Sequence, residues 1–199
     1  MKTRYLAACV IASSLVASPL ALAAPGGQTY NLKYKTALSA VNLGAEINGV
    51  QYSLSANSFD DMDGVQQGSI FVSRFGIDPA SGFFSYNFMQ CSGPAFANIV
   101  TVSKTSGAAT VNAVLDPANP SCFAFNSTAL TISITGAPTG SYARSDAGTT
   151  TFQYVGAMEK ASFQSDSFDE NFAGTIGYYT GAFSGNAETA KITQRVRVK

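Results

Sequence analysis

The chain has no histidine and no tryptophan, and only 12% of its 199 residues are charged. Without histidine there is no Ser-His-Asp or Cys-His catalytic arrangement and no imidazole-based zinc site, because the usual proton shuttle near neutral pH is missing. Without tryptophan there is no indole platform of the kind sugar clefts favour. A charged fraction near half the usual ~25% argues against a solvated, disordered chain. Twelve bases balance twelve acids; setting aside Lys2 and Arg4 leaves 10 against 12, a net of −2. Such a balance exerts no global pull on nucleic acid, whose binding rests on neutralising phosphates. No nucleic-acid partner is expected.

The N-terminus reads as a secretory signal peptide. Lys2 and Arg4 precede an apolar stretch, Tyr5 to Ala23, that closes on Ala21-Leu22-Ala23, a small-x-small cleavage pattern. Cleavage after Ala23 divides the chain into a leader, 1–23, and one domain, 24–199, whose first residues to Thr29 form a loose tail. The expected destination is the periplasm, the cell surface or the extracellular space, with no transmembrane span left in the mature chain. Leu6-Ala7-Ala8-Cys9 mimics a lipobox, but an eight-residue leader is too short for an apolar region of ~7–15 residues. Cleavage removes Cys9 and leaves Cys91 and Cys122, which are expected to form one disulfide in an oxidising compartment. Closing that loop stabilises the fold by about 3–4 kcal/mol.

Apolar residues alternate with polar ones along most of the domain, and no helical stripe competes. Tyr30, Leu32 and Tyr34 share one face of a first strand; Asn48-Gly49 marks a tight hairpin. Gly68–Ser73 and Phe83–Cys91 flank a run of turn residues, and Ile99–Ser103 and Thr110–Leu115 join through Gly107. Leu130, Ile132 and Ile134 alternate with Thr131, Ser133 and Thr135. Thr149–Gly156, Lys160–Ser167, Gly174–Phe183 and Ala187–Lys199 complete about ten short strands, the last two joined around Gly185-Asn186. The expected fold is all-β: a single antiparallel β-sandwich of jelly-roll or Greek-key type.

Two acidic segments are the candidate metal sites. Asp60, Asp61 and Asp63 precede Gly64, and a related stretch carries Asp166, Asp169 and Glu170; Ser53–Asp61 parallels Ser162–Glu170 in residue type. Calcium takes six to eight oxygen ligands, so acidic corners suit it chemically, although the spacing is not that of an EF-hand. The structural reading is a recurring strand and solvated turn, with Phe59 or Phe168 plugging the core beneath. Asp60, Asp61, Asp63, Glu159, Asp169 and Glu170 are the acids available for a glycosidase carboxylate pair. No other cofactor is expected.

Aromatic stripes such as Phe84/Tyr86/Phe88 and Phe152/Tyr154 are expected in the core, since a half-buried strand hides one face. Tyr178 and Tyr179 are expected on opposite faces of a glycine-rich strand, so that one is exposed as a ligand or partner contact. The final strand, with Ile192, Val196 and Val198 inward and Lys191, Arg195 and Arg197 outward, reads as a charge-protected sheet edge. Together these features predict an exported, non-catalytic protein that acts by binding or assembly at the cell surface. It would be adhesin-like, matrix or pilus-associated, with a protein or glycan partner or a second copy of itself. The alternatives are a calcium-dependent carbohydrate-binding module and a carboxylate hydrolase.

Overall fold

The structure is a computed structural model that describes residues 31–61, 64–77, 81–154 and 157–198, with side chains for 37–61, 64–77, 81–139 and 164–193. The leader 1–23, the tail to Thr29 and Asp63 lie outside the described residues. So do the side chains of Phe152, Tyr154, Glu159, Arg195, Val196, Arg197 and Val198.

Ten strands form: β1 (Asn31–Ile47), β2 (Val50–Asp60), β3 (Gln66–Ile77), β4 (Phe84–Gly93), β5 (Val100–Val102), β6 (Ala109–Leu115), β7 (Cys122–Phe125), β8 (Leu130–Tyr154), β9 (Ala157–Ile176) and β10 (Thr180–Val198). All pairings are antiparallel, in one sheet of order β5-β6-β8-β9-β10-β1-β2-β3-β4-β7. The all-β antiparallel expectation holds. The strands hydrogen-bond as one curled sheet, compatible with a sandwich because its two halves pack inner face to inner face.

The curl is forced by chain connectivity. In a flat sheet β7 and β8 would lie seven strand spacings apart, about 34 Å at ~4.8 Å each. Only residues 126–129 join them, and such a segment reaches at most about 18 Å. Residues 94–99 likewise join β4, next to one edge, to β5, which is the other. The two edges must therefore come close together, which turns one face of the sheet inward.

That inner face is the core. Val41 and Leu43 of β1, Leu54 and Ala56 of β2, Ile70 and Val72 of β3, and Met89 and Cys91 of β4 meet Val111, Ile132, Ile134, Phe172, Ile176 and Phe183 from the opposite half. A single 3-10 turn, Pro94–Phe96, drops Phe96 into one end. Gly68 makes room for it: a Cβ there would lie 1.8 Å from the Phe96 carbonyl oxygen. The expected hairpin at Asn48-Gly49 forms with both residues at positive φ, 52° and 78°, the conformation of a type I′ turn.

Several expected boundaries move. Leu130–Thr135 and the expected strand at Thr149–Gly156, as far as Tyr154, belong to the one strand β8, interrupted by a register shift between Pro138 and Ala143; residues 155 and 156 lie outside the described residues. Lys160–Ser167 and the start of Gly174–Phe183 belong to β9. The final hairpin turns at Gly177-Tyr178-Tyr179, and β10 runs straight through Gly185-Asn186. Gly185 signals close approach and no turn, since a Cβ there would meet the Asn42 carbonyl oxygen of β1 at 2.0 Å. The last strand is not an edge: β10 lies between β9 and β1. Nor are these strands short, β8 spanning 25 residues and β9 20.

Cys91 and Cys122 are bonded, facing one another in register on β4 and β7. The bridge adds a covalent tie to a strand that pairs with β4 over only four residues. Replacing both cysteines by alanine should lower stability by about 3 kcal/mol in urea denaturation. Gly68→Ala should cost about 2 kcal/mol or more, because the atom it would strike is backbone.

Candidate binding face

Antiparallel pairing puts register partners on the same side of the sheet. In β4, Met89 and Cys91 point inward and are fully buried, so Tyr86, Phe88 and Gln90 point outward. Their partners extend that outer row: Phe75 faces Tyr86, Ile77 faces Phe84, Phe125 faces Phe88 and Phe123 faces Gln90. The expectation that Phe84, Tyr86 and Phe88 lie in the core is therefore corrected. Phe84 is 70% exposed and Tyr86 39%. Apolar alternation marks one side of a strand, but here the inner side was already filled by Met89 and Cys91.

The outer rings contact each other. Phe88 sits at the centre, with its ring centroid 5.3 Å from Tyr86, 5.6 Å from Phe123, and 5.9 Å from both Phe71 and Phe125. Phe71 and Phe88 are half-buried by these contacts. Phe123, Phe125, Phe75 and Ile77 remain open, and Phe83 adds a 77% exposed ring at the β3–β4 hairpin tip. β7, which sequence reasoning overlooked, supplies two of the rings. The available signal was Cys122 itself: once bridged inward to Cys91, it turns Phe123 and Phe125 outward.

Elsewhere the outer surface is different in kind. The outward positions of β6 and β8 include Thr110, Asn112, Thr131, Ser133 and Thr135, tied across strands by contacts such as Ser133 Oγ to Asn112 Oδ1 at 3.2 Å. Between β1 and β2, Ser55 donates to Asn42 at 2.7 Å. Among the described residues, the rings in mutual contact on the outer surface are those of β3, β4 and β7.

Tyr178 and Tyr179 occupy the β9–β10 turn, where strand alternation does not apply, and both are half-buried against the core. The Tyr178 hydroxyl hydrogen-bonds Ser127, just beyond β7. Burial raises its pKa, partly offset by that bond and by the Arg74 charge. The Tyr179 ring packs 5.1 Å from Tyr52 and 5.4 Å from Phe183. The pair closes one end of the molecule and does not supply the exposed ring expected of it.

The acidic residues do not converge on one place. Asp61 accepts from the Val65 amide at 2.8 Å and from Gln67 at 3.2 Å, stabilising the β2–β3 corner. Asp60 lines a cleft of about 180 Å³ with Phe59, Gln67, Asn98 and Val100, and is the only acid among its lining residues. Asp166, Asp169 and Glu170 lie within β9, not in a turn, and β1 and β10 separate that strand from β2. Asp166 pairs with Lys104 of the β5–β6 loop at 3.3 Å; Asp169 points to the opposite, exposed side. Among the described residues no group of three or more acidic or sulfur side chains is placed to hold a metal.

Glu170 is the exception to the solvated pattern. It is 1% exposed, on the inner face between Phe168 and Phe172, and neither carboxylate oxygen has a hydrogen-bond partner. Its side chain fits because Gly136 of β8 has none: a Cβ there would lie 1.9 Å from Oε2. Desolvation pushes its pKa from 4.5 up to about 7.

No protein-family model, curated protein or solved structure matches this chain. No helix among the described residues is long and apolar enough to cross a membrane, which says nothing of crossing by strands.

The Glu170 shift makes stability depend on pH. Between about 4.5 and about 7 the folded chain keeps a proton that the unfolded chain has released. Stability should therefore fall as pH rises through that window, by on the order of 3 kcal/mol, and then level off. Glu170→Gln should remove this component. Urea midpoints at about pH 5 and about pH 8 check it, and the variant should be the more stable protein at the higher pH.

Proposed function

We propose that this is an exported, non-catalytic binding protein that acts at the cell surface through the aromatic outer face of β3, β4 and β7. The observation that carries this reading is the segregation of the outer surface. Among the described residues the outer positions of β6, β8 and much of β1 and β2 are mostly small and polar, while a connected aromatic cluster spans three strands. Contiguous apolar patches larger than a few hundred Å² are rare on monomers and mark interaction sites. Six apolar side chains there are 38–70% open, or roughly 600 Å² together at ~150–250 Å² per large side chain.

The disulfide supports an oxidising destination, in keeping with the leader read from residues 1–23. It also serves the face directly, since it holds the strand that presents Phe123 and Phe125. The acidic residues carry less of the argument: Asp61 and Asp166 are engaged within the fold, and Glu170 is sealed inside it.

Protein recovered from outside the cytosol should begin at Ala24 on N-terminal sequencing. When expressed in its own host, the Phe84→Ser/Phe123→Ser variant should be retained on intact cells at least tenfold less than the unaltered protein. Val114→Ser, an exposed apolar position on β6 away from the face, should be retained normally. Equal retention of all three, with circular dichroism confirming the fold, would exclude this face as the functional surface.

A further inference from the structure

We infer that the occupant of the aromatic face is a second copy of this chain, packed face to face across a two-fold axis. This rests on the reading of that face as the functional surface and adds the identity of the partner.

Charge is the first argument. The outward positions of β3, β4 and β7 hold aromatic, aliphatic, serine and glutamine side chains, with neither a carboxylate nor a basic group among them. A polyanion or acidic peptide would need bases there, and a cationic partner would need acids. Two copies of a neutral face can meet without like-charge repulsion. An isologous contact, in which the same patch is used on both sides, is the commonest form of self-association.

Area and shape agree with this. Roughly 600 Å² of open apolar side chain per molecule, about 1,200 Å² over two copies, reaches the lower end of the range of about 1,200–2,000 Å² that standard interfaces bury. The patch lies on a sheet, and two sheets pack face to face at about 10 Å separation with interleaved side chains. Phe88 and its half-buried neighbours would form the centre, while Phe84 and Phe123, open on the periphery of the ring cluster, would insert between the partner's rings. A glycan fits less well. Stacking on phenyl rings leaves sugar hydroxyls to be paired, and the outer face offers few polar side chains around the rings, chiefly Ser73, Tyr86 and Gln90. Ser73 is itself buried, and its hydroxyl is paired with Ser53 at 2.7 Å.

The test is sedimentation equilibrium of the purified, oxidised protein, from about 1 to about 200 µM. Three single variants accompany it: Phe84→Asp, Phe123→Asp and, away from the face, Val114→Asp. Circular dichroism and thermal melting establish that each is folded. The expected result is a dimer with a dissociation constant in the micromolar range or below. Either face variant should weaken it at least 100-fold, and Val114→Asp should leave it unchanged. A dimer equally insensitive to Phe84→Asp and Phe123→Asp would overturn the proposal, because the contact would then lie elsewhere. A protein still monomeric at about 200 µM would also overturn it. Cell retention of Phe84→Ser/Phe123→Ser then separates the two readings: if retention still needs the face, the face binds a different partner, and if it does not, both readings fall.

Discussion

A four-residue connection between strands that hydrogen bonding would otherwise place about 34 Å apart governs this molecule. The β7–β8 link and the β4–β5 link both bring opposite edges of a ten-stranded sheet together, so the sheet closes over one of its faces. The described strand side chains then divide between two environments. Even and odd positions of each strand separate into an interior built of Val, Leu, Ile, Met and Phe and an exterior exposed to solvent or a partner. Gly68, packed against backbone beneath the 3-10 turn of the β4–β5 link, belongs to the same requirement. Where the curl brings chain segments nearest, a side chain of any size would hold them apart.

The exterior is where function is argued. An interior already filled by Ile70, Val72, Met89 and Cys91 does not need Phe88, Phe123 or Phe125, and these rings cluster with each other on the outside. Large phenyl groups left in water are unfavourable for an isolated molecule. They become favourable when a second surface covers them, provided association outweighs the lost freedom of two bodies. The disulfide joins this face to the interior: its sulfurs lie on the core side of β4 and β7, and by fixing β7 they set the outward direction of two of the rings.

Glu170 shows the opposite economy. A carboxyl group takes up core volume between Phe168 and Phe172 without a hydrogen-bond partner, at the position where Gly136 leaves room. Its acidity responds by moving toward the neutral form, which is the less costly species in an apolar surround. Asp166, four residues earlier on the same face but near the β5–β6 loop, meets Lys104. The two acids differ in burial and in whether a base lies within reach, and residue type alone carries no record of it.

Much of the architecture was legible in the residues. Period-two alternation, the Asn48-Gly49 turn and the Cys91–Cys122 pair are local or nearly combinatorial signals, so strand class, one hairpin and the disulfide could be read directly. Strand ends were less legible, because glycine marks a turn and a close backbone approach alike; Gly177 is the first and Gly185 the second. The placement of Tyr178 and Tyr179 depended on that distinction. Alternation also states that Phe84, Tyr86 and Phe88 share a side, but it is symmetric between the two sides of a pleated ribbon. Which side faces inward is settled only when the sheet curls and Met89 and Cys91 meet the opposite half. Amino-acid order determined the pleat and the bridge; closure of the sheet decided which row of rings would be left outside, because inside and outside exist only after distant strands have come together.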